Sequence, residues 1–171
     1  MKTLKALIIS LLLPTAVIII IPLFIIFFID RIAIARLFEL NLIQIIYGMT
    51  LIIVGLILLI WCVSIFFTLG NGTLMPISKL ETQKLVIKGP YRYMRHPMIL
   101  GVFIILLGES ILFGSCWLLG FSIFFFILNL IYLPLVEEKG LEKRFGDDYL
   151  QYKAKIHGWL PIKKLKSQKS S

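Results

Sequence analysis

The chain has 171 residues, of which 59% are hydrophobic and 16% charged, and its formal net charge is +9. Its long apolar runs have no aqueous face, which excludes an ordinary soluble helical bundle and indicates an integral membrane protein. Positive charge beside membrane segments sets topology and meets anionic headgroups, so it does not indicate nucleic acid as a partner. The partner expected from composition is the lipid bilayer.

Four apolar runs are long enough to cross a bilayer, and they predict an all-α integral membrane protein. The predicted helices are 4–29, 40–69, 97–113 and 116–136. The first is interpreted as a retained helix rather than a cleaved signal peptide, with kinks at Pro14 and Pro22. Only Gly114 and Ser115 separate the last two helices, so these two are expected to form a tight antiparallel hairpin.

The distribution of positive charge predicts the orientation. The segment 70–95 carries five lysines and arginines against one glutamate, and the tail after residue 162 carries four lysines. Since such segments stay cytoplasmic, both termini and the 70–95 loop are expected on the cytoplasmic side. We divide the chain into an N-terminal two-helix region (1–69), a core (70–162) and a basic disordered tail (163–171).

The polar end of the core has its own pattern. Gly146 is expected to break the chain before a short amphipathic helix that lies at the membrane interface. On that helix Tyr149, Tyr152 and Ile156 recur at helical spacing. The two cysteines, Cys62 and Cys116, lie in apolar runs, and no spacing of cysteines and histidines suggests a metal site.

The unit Arg95-His96-Pro97 is the strongest candidate for chemistry. Proline is favoured in the first turn of a helix, so the third helix is predicted to begin at Pro97. Its free amide groups and dipole would then face the cytoplasmic boundary, where they can hold an anion. Arg95 and His96 add donors at that point. The alternative is that the cations only set topology, which leaves the histidine and the neighbouring Tyr91 unexplained.

An acidic pair, Glu137-Glu138, complements this unit. It ends the fourth predicted helix, beside the expected start of the third. A carboxylate there can meet a cationic group of a ligand while the helix N-terminus meets an anionic one. Together they suit a zwitterion such as the amino-acid end of a cofactor. Tyr91, held by the turn at Gly89-Pro90, is expected to form a wall of this pocket.

These residues resemble the isoprenylcysteine carboxyl methyltransferase and phospholipid N-methyltransferase superfamily of membrane methyltransferases. The resemblance covers about residues 70–161. The motifs that carry it are Gly72-Thr73, Leu85-Val86, Gly89-Pro90-Tyr91-Arg92, Arg95-His96-Pro97-Met98, Gly101, Glu137-Glu138, Phe145-Gly146-Asp147-Asp148-Tyr149, Tyr152 and Leu160-Pro161.

The resemblance implies S-adenosylmethionine as the methyl donor, bound at the cytoplasmic membrane boundary. The residues it assigns to the donor site are Gln83, Lys84, Leu85, Val86, Tyr91, His96, Pro97, Met98, Ile99, Leu100, Gly101 and Glu137. Methyl transfer from a sulfonium is an in-line displacement, for which a protein supplies proximity, orientation and a dry site. We assign catalytic roles to Arg95, which would orient the acceptor, and to Glu138, which would accept a proton.

Two positions depart from the family pattern. Ile99 stands where the family often has Tyr, and Leu133 stands where the prenylcysteine enzymes carry an Arg. The second departure argues against carboxyl methylation of a prenylcysteine and leaves a lipophilic or small acceptor without a name. Two other readings remain open: an NADPH-dependent membrane reductase of the sterol-reductase type, and a non-catalytic lipid-binding protein. The sequence does not indicate the oligomeric state.

Overall fold

The computed structural model of the chain describes residues 15–30, 41–69, 85 and 87–159. Within these residues, six helical segments form the frame of the protein. In chain order they are α1 (Ala16–Ile29), α2 (Leu42–Leu69), α3 (Pro97–Phe113), α4 (Cys116–Tyr132), α5 (Glu138–Phe145) and α6 (Asp147–Lys155). The sole extended pairing in the described part of the chain is the isolated bridge between Met94 and His157. The fold is therefore all-α, as predicted.

In the part of the chain that the structure describes, two helical runs are long and apolar enough to cross a membrane: Leu42–Ile65 and Cys116–Phe145. In each of them 17% of the most apolar window is buried inside the protein, whereas the core helix of a soluble protein would be mostly buried. The helices Ala16–Ile29 and Pro97–Phe113 are also apolar but shorter. The apolar outward faces fit lipid and support an integral membrane protein.

The first helix is irregular around Pro22. A short α-helical turn, Ile21–Phe24, lies between π-helical turns at Ala16–Ile20 and Ile25–Ile29. Proline has no backbone N–H, and neighbouring turns in membrane helices adjust to such a gap. The start of the predicted helix and its Pro14 lie outside the described residues, as do residues 70–84 and 163–171, so the proposed domain boundaries stay predictions.

Helices α2 and α3 contact each other along two pairs of glycines. A Cβ atom on Gly55 would lie 2.8 Å from the carbonyl oxygen of Gly101, and one on Gly108 would lie 2.8 Å from that of Gly48. Gly48 and Gly55 of α2 are seven residues apart, as are Gly101 and Gly108 of α3. The two backbones therefore touch at two levels with the same spacing along each helix. Small residues allow such close approach where lipid supplies no hydrophobic drive for association.

Polar contacts mark one end of the helices. The Ser115 hydroxyl donates to Asp30 Oδ1 at 3.0 Å, and Gln44 Nε2 donates to the carbonyl of Ile111 at 2.5 Å. At the junction of α3 and α4, Gly114 has a φ of 60° and Ser115 accepts from the amide of Leu118 at 3.1 Å. The beginning of α3 and the end of α4 therefore lie at the opposite end, where the candidate site forms.

The fourth helix does not end at residue 136 as predicted. It continues through a π-turn, Leu133–Glu137, into α5, and it stops at Phe145. Pro134 lies in that turn, where the Glu138 amide donates to the carbonyl of Leu133. The acidic pair therefore lies within a continuous helical run rather than at its end. Glu138 is 2% exposed, and its carboxylate is contacted by Arg95 and Lys153.

Candidate active site

The site begins where α3 begins. Pro97 is the first residue of α3, as predicted, and His96 precedes it as N-cap with no hydrogen bond from its side chain to the helix. The first backbone amides of a helix have no acceptor within the helix. In α3 the first backbone hydrogen bond runs from the Leu100 amide to the His96 carbonyl, at 3.3 Å. The amides of Met98 and Ile99 are thus donors at the positive end of the helix dipole.

Glu138 lies at the centre of a charge cluster formed with Arg95, His96 and Lys153. Its Oε1 atom is bound by Arg95 Nη1 and lies 3.0 Å from His96 Nε2, while its Oε2 atom lies 3.0 Å from Lys153 Nζ. The exposed fraction is 3% for the Glu138 side chain and 12% for that of Arg95. A buried carboxylate is tolerated because these donors replace the lost water.

A second set of contacts holds α6 against the loop that precedes α3. The Tyr152 hydroxyl donates to the carbonyl of Tyr91 at 2.6 Å, and the amides of Arg95 and His96 donate to the carbonyl of Gly158 at 3.1 and 3.2 Å. Gly146, with a φ of 53°, reverses the chain between α5 and α6 and makes this return possible. The loop at residues 91–96 is therefore fixed by hydrogen bonds to its backbone, from the Tyr152 side chain and from the Gly158 carbonyl just after α6.

The apolar face of α6 packs on the protein itself. Tyr149, Tyr152 and Ile156 are buried together, with Phe145 packed against them. Burial raises the pKa of Tyr149 to about 12 and raises that of Tyr152 well above its usual value. Both phenols are therefore neutral at physiological pH. The amphipathic pattern was correctly identified, but the face that it creates is directed inward.

Tyr91 links several elements of the site. It is 7% exposed, follows Gly89-Pro90 in the 3₁₀ turn Gly89–Arg92, and its hydroxyl is hydrogen-bonded to the thiol of Cys62 in α2. Burial raises its pKa well above the ordinary tyrosine value, followed by the contact with Cys62. Gly89 has a φ of 56° and lies against Trp61 and Ile65 of α2, so the turn is fitted to the end of that helix.

The structure brings together the two halves of the predicted site. Arg95 and His96 of the first half contact Glu138 of the second, and Glu137 precedes Glu138 in the chain. Pro97 is buried, while Met98, Ile99 and Leu100 are half-buried on the first turn of α3. Gly101 faces the backbone of α2 instead. A Cβ atom placed on it would lie 3.2 Å from the carbonyl oxygen of Gly55. Gln83, Lys84 and Val86 lie outside the described residues.

A row of rings extends from the charge cluster along the helices. The ring of His96 lies 5.5 Å from Trp159, that of Trp159 lies 5.2 Å from Phe126, and that of Phe126 lies 4.4 Å from Phe103. Phe103 belongs to α3 and Phe126 to α4. Leu133, where the prenylcysteine enzymes carry an Arg, is 1% exposed. The surroundings of the cluster on this side are apolar and aromatic.

A separate open groove of about 610 Å³ lies beside α6. It is lined by Leu85, Ile87, Phe145, Asp148, Gln151, Tyr152, Lys155 and Ile156. Of the described residues in the predicted donor site, Leu85 alone is in this lining, and none of Arg95, His96, Glu138 or Lys153 is, so the groove is distinct from the cluster around Glu138. Among the described residues, no group of three His, Cys, Asp or Glu side chains is arranged to hold a metal ion.

Three contributors to the site were not identified from the sequence: Lys153, Gly158 and the carbonyl of His157. The His157 carbonyl accepts from the Arg95 amide at 3.0 Å, which is a structural backbone contact. The sequence places Lys153 directly after Tyr152 on the predicted amphipathic helix, in what the structure shows to be its last turn. Its contact with Glu138 depends on the reversal at Gly146 and could not be derived from spacing alone.

Comparison with known proteins gives two matches. A family model described as phospholipid methyltransferase matches residues 43–148, which is more than half of the chain. An uncharacterised protein of Haemophilus influenzae is 38% identical over 65 residues, which are 37% of this chain and the whole of that protein. No solved structure matches the chain significantly. The matched family segment extends from α2 into α6 and includes the complete cluster except Lys153.

Proposed function

The chain belongs to the phospholipid methyltransferase family, and from this premise we propose that it transfers a methyl group from S-adenosylmethionine to a lipophilic or small acceptor at the membrane boundary. The observation that carries the proposal is the contact of Arg95 and His96 with Glu138. This contact joins the N-terminus of α3 to the acidic pair, the two parts that a zwitterionic ligand requires. The family favours this function over a reductase or a non-catalytic lipid-binding protein.

The residues present fit the amino-acid end of the donor. The amides of Met98 and Ile99 at the start of α3 are suited to its carboxylate, and the Glu137 carboxylate is suited to its ammonium. Tyr91 and the half-buried Leu100 would support the apolar part of the ligand. These residues make up the proposed donor site together with Leu85, His96 and Pro97, and with Gln83, Lys84 and Val86 from outside the described residues. Gly101 packs against the backbone of α2 and is left out of the proposed site.

The donor, when bound, supplies an activated methyl group on a sulfonium, so the protein's task is orientation and exclusion of water. Arg95 is suited to orient the acceptor, because Glu138 holds its 12% exposed side chain next to His96, where the aromatic row ends. Glu138 is suited to hold Arg95 and His96 in place. For Glu138 to accept a proton as well, it would have to give up a cationic partner, so orientation is the role that we propose.

The acceptor approaches from the side of the aromatic row. Phe103, Phe126 and Trp159 form an apolar surface that ends at His96. A lipophilic molecule in the bilayer could reach the charge cluster along that surface without crossing water. The buried Leu133 offers no cation to an acceptor carboxylate, which favours an acceptor with a neutral or amine nucleophile over a prenylcysteine acid.

The membrane architecture that we propose has four spans, formed by α1 to α4 with residues outside the described segments completing the first. In it α3 and α4 form a tight hairpin, and both termini and the 70–95 loop are cytoplasmic. The polar contacts of Asp30 with Ser115 and of Gln44 with Ile111 support a common non-cytoplasmic end. The cluster around Glu138 then lies at the cytoplasmic boundary, where a soluble donor and a membrane-borne acceptor can meet.

Titration calorimetry on the purified chain in detergent tests the donor assignment. We expect S-adenosylhomocysteine to bind with a dissociation constant of about 1–100 µM, in the range of typical enzyme substrates, and NADPH not to bind. Glu137→Ala should weaken this binding by about 10-fold, because it removes the partner of the ammonium group. The matched control is Asp147→Asn, an exposed acid at the start of α6, which should bind as the wild type does. Binding of NADPH without S-adenosylhomocysteine would overturn the proposal.

A further inference from the structure

Lys153 holds two carboxylates of α5 from the next helix. Its Nζ atom lies 3.0 Å from Glu138 Oε2 and 2.6 Å from Glu142 Oε1. These two acids are one turn apart on α5, and α6 crosses them after the reversal at Gly146. The hydrogen bonds to Glu142 and Glu138 raise the pKa of Lys153 above its usual value, so its ammonium group is protonated at neutral pH.

The two oxygens of Glu138 are divided between two groups of donors. Arg95 and His96, from the start of α3, meet Oε1, while Lys153 meets Oε2. An ionised carboxylate only accepts hydrogen bonds, so the His96 nitrogen that faces it, Nε2, must carry a proton. Contacts at both oxygens fix the rotation of the carboxylate plane, and this plane in turn fixes the imidazole and the guanidinium.

We propose that Lys153 is a positioning residue, which by binding the second oxygen of Glu138 sets the orientation of His96 and Arg95 for methyl transfer. The inference rests on the proposed function for its catalytic consequence, although the positioning itself is a property of the folded chain. Without Lys153, Oε2 of a buried carboxylate loses its ammonium partner, and the carboxylate is free to rotate toward whatever donor remains. His96 and Arg95 then lose the fixed carboxylate oxygen that orients both side chains.

The rest of α6 makes this role specific to Lys153. Tyr152 anchors the helix through its hydrogen bond to the Tyr91 carbonyl, and Tyr149 packs inside with 1% exposure. These contacts keep α6 in place when the lysine is changed. Lys155 is two residues further along and exposed, on the side of the groove rather than the cluster. It carries the same charge on the same helix and is therefore a matched control.

Nuclear magnetic resonance of the histidine rings tests the positioning directly. The chain has two histidines, so labelled imidazoles give a simple spectrum, in which His157→Gln assigns the remaining signal to His96. We expect Lys153→Met to move the ring signals of His96 by more than their line width. Lys155→Met should leave them in place, and Lys153→Arg should restore them, because a guanidinium can reach both carboxylates.

Methyl transfer supplies the second readout. With deuterated-methyl S-adenosylmethionine and a total lipid extract, Lys153→Met should reduce turnover by about 10- to 100-fold, the cost of a misplaced orienting group. The dissociation constant for S-adenosylhomocysteine should change by less than about 3-fold, because the proposed donor contacts at Glu137 and α3 remain. A merely structural role for Lys153 would instead lower binding, turnover and melting temperature together, and Arg would not restore turnover selectively.

Unchanged His96 signals in Lys153→Met would overturn the inference, as would equal effects of Lys153→Met and Lys155→Met. If Lys153→Met does not fold, Lys153→Gln, which keeps a hydrogen-bond donor and loses the charge, is compared with Lys153→Arg on the same measurements. Failure of the wild-type chain to bind S-adenosylhomocysteine would remove the proposed function, while the His96 signals would still decide whether Lys153 positions this ring.

Discussion

Glu138→Gln is expected to lower methyl transfer by about 100-fold, while affinity for the donor changes by only a few-fold. The carboxylate accepts hydrogen bonds at both oxygens, from Arg95 and His96 on one side and Lys153 on the other. A carboxamide has one acceptor end and one donor end. Whichever way it turns, its NH₂ group faces a donor, and the guanidinium loses its counter-charge in a buried place.

The same substitution should lower the free energy of unfolding by about 3 kcal/mol, the lower part of the range for breaking a buried ion pair. Glu142→Gln is the matched control: it makes the same chemical change one turn further along α5, at a side chain that is 31% exposed. For this half-exposed pair we expect a loss of at most about 1 kcal/mol and near-normal turnover. Equal behaviour of the two variants in turnover and thermal unfolding would contradict the assigned role of Glu138.

Gly108→Ala is expected to destabilise the chain by about 1–3 kcal/mol, as for overpacking of a close contact. The new methyl group would lie 2.8 Å from the carbonyl oxygen of Gly48 and 2.9 Å from the amide nitrogen of Ile52. Both are backbone atoms of α2, so relief requires the two helices to separate. Since α2 also supports the turn at Gly89 through Trp61 and Ile65, that separation would be transmitted to Tyr91 and the site.

Gly120→Ala provides the control for this prediction. Gly120 is also a helical glycine, but a Cβ atom there would have no neighbour within 4 Å. Alanine has the higher helix propensity, so this variant should be unchanged or more stable by up to about 1 kcal/mol. The measurement is the midpoint of thermal unfolding of both variants in the same detergent. A wild-type midpoint for Gly108→Ala would show that α2 and α3 do not approach as closely as described.

Features encoded locally could be predicted from the sequence. The start of α3 at Pro97 and its end at Phe113 follow from the proline in the first turn and from Gly114 after the last. The turn at Gly89-Pro90 and the break at Gly146 also depend on neighbouring residues alone, and both glycines have positive φ. The contact between His96 and the acidic pair was anticipated in outline from the expected order of the helices.

Features that depend on distant partners could not be predicted. The acidic pair was expected at the end of a helix, because the apolar run of the fourth predicted helix stops at Val136. It lies inside one because Arg95 and Lys153, far away in sequence, provide the compensating charge. The glycines of α2 and α3 were visible in the sequence with their seven-residue spacing. Their pairing becomes apparent only when the two helices are placed side by side.

We propose that the chain moves a methyl group from S-adenosylmethionine to an acceptor, using the cluster at the start of α3. The most direct test is mass spectrometry of a lipid extract incubated with the purified chain and deuterated-methyl S-adenosylmethionine. We expect a labelled, lipid-soluble product that forms with the wild type and is strongly reduced with Arg95→Ala. Absence of any labelled product with a wild-type chain that binds the donor, or equal labelling by Arg95→Ala, would contradict it.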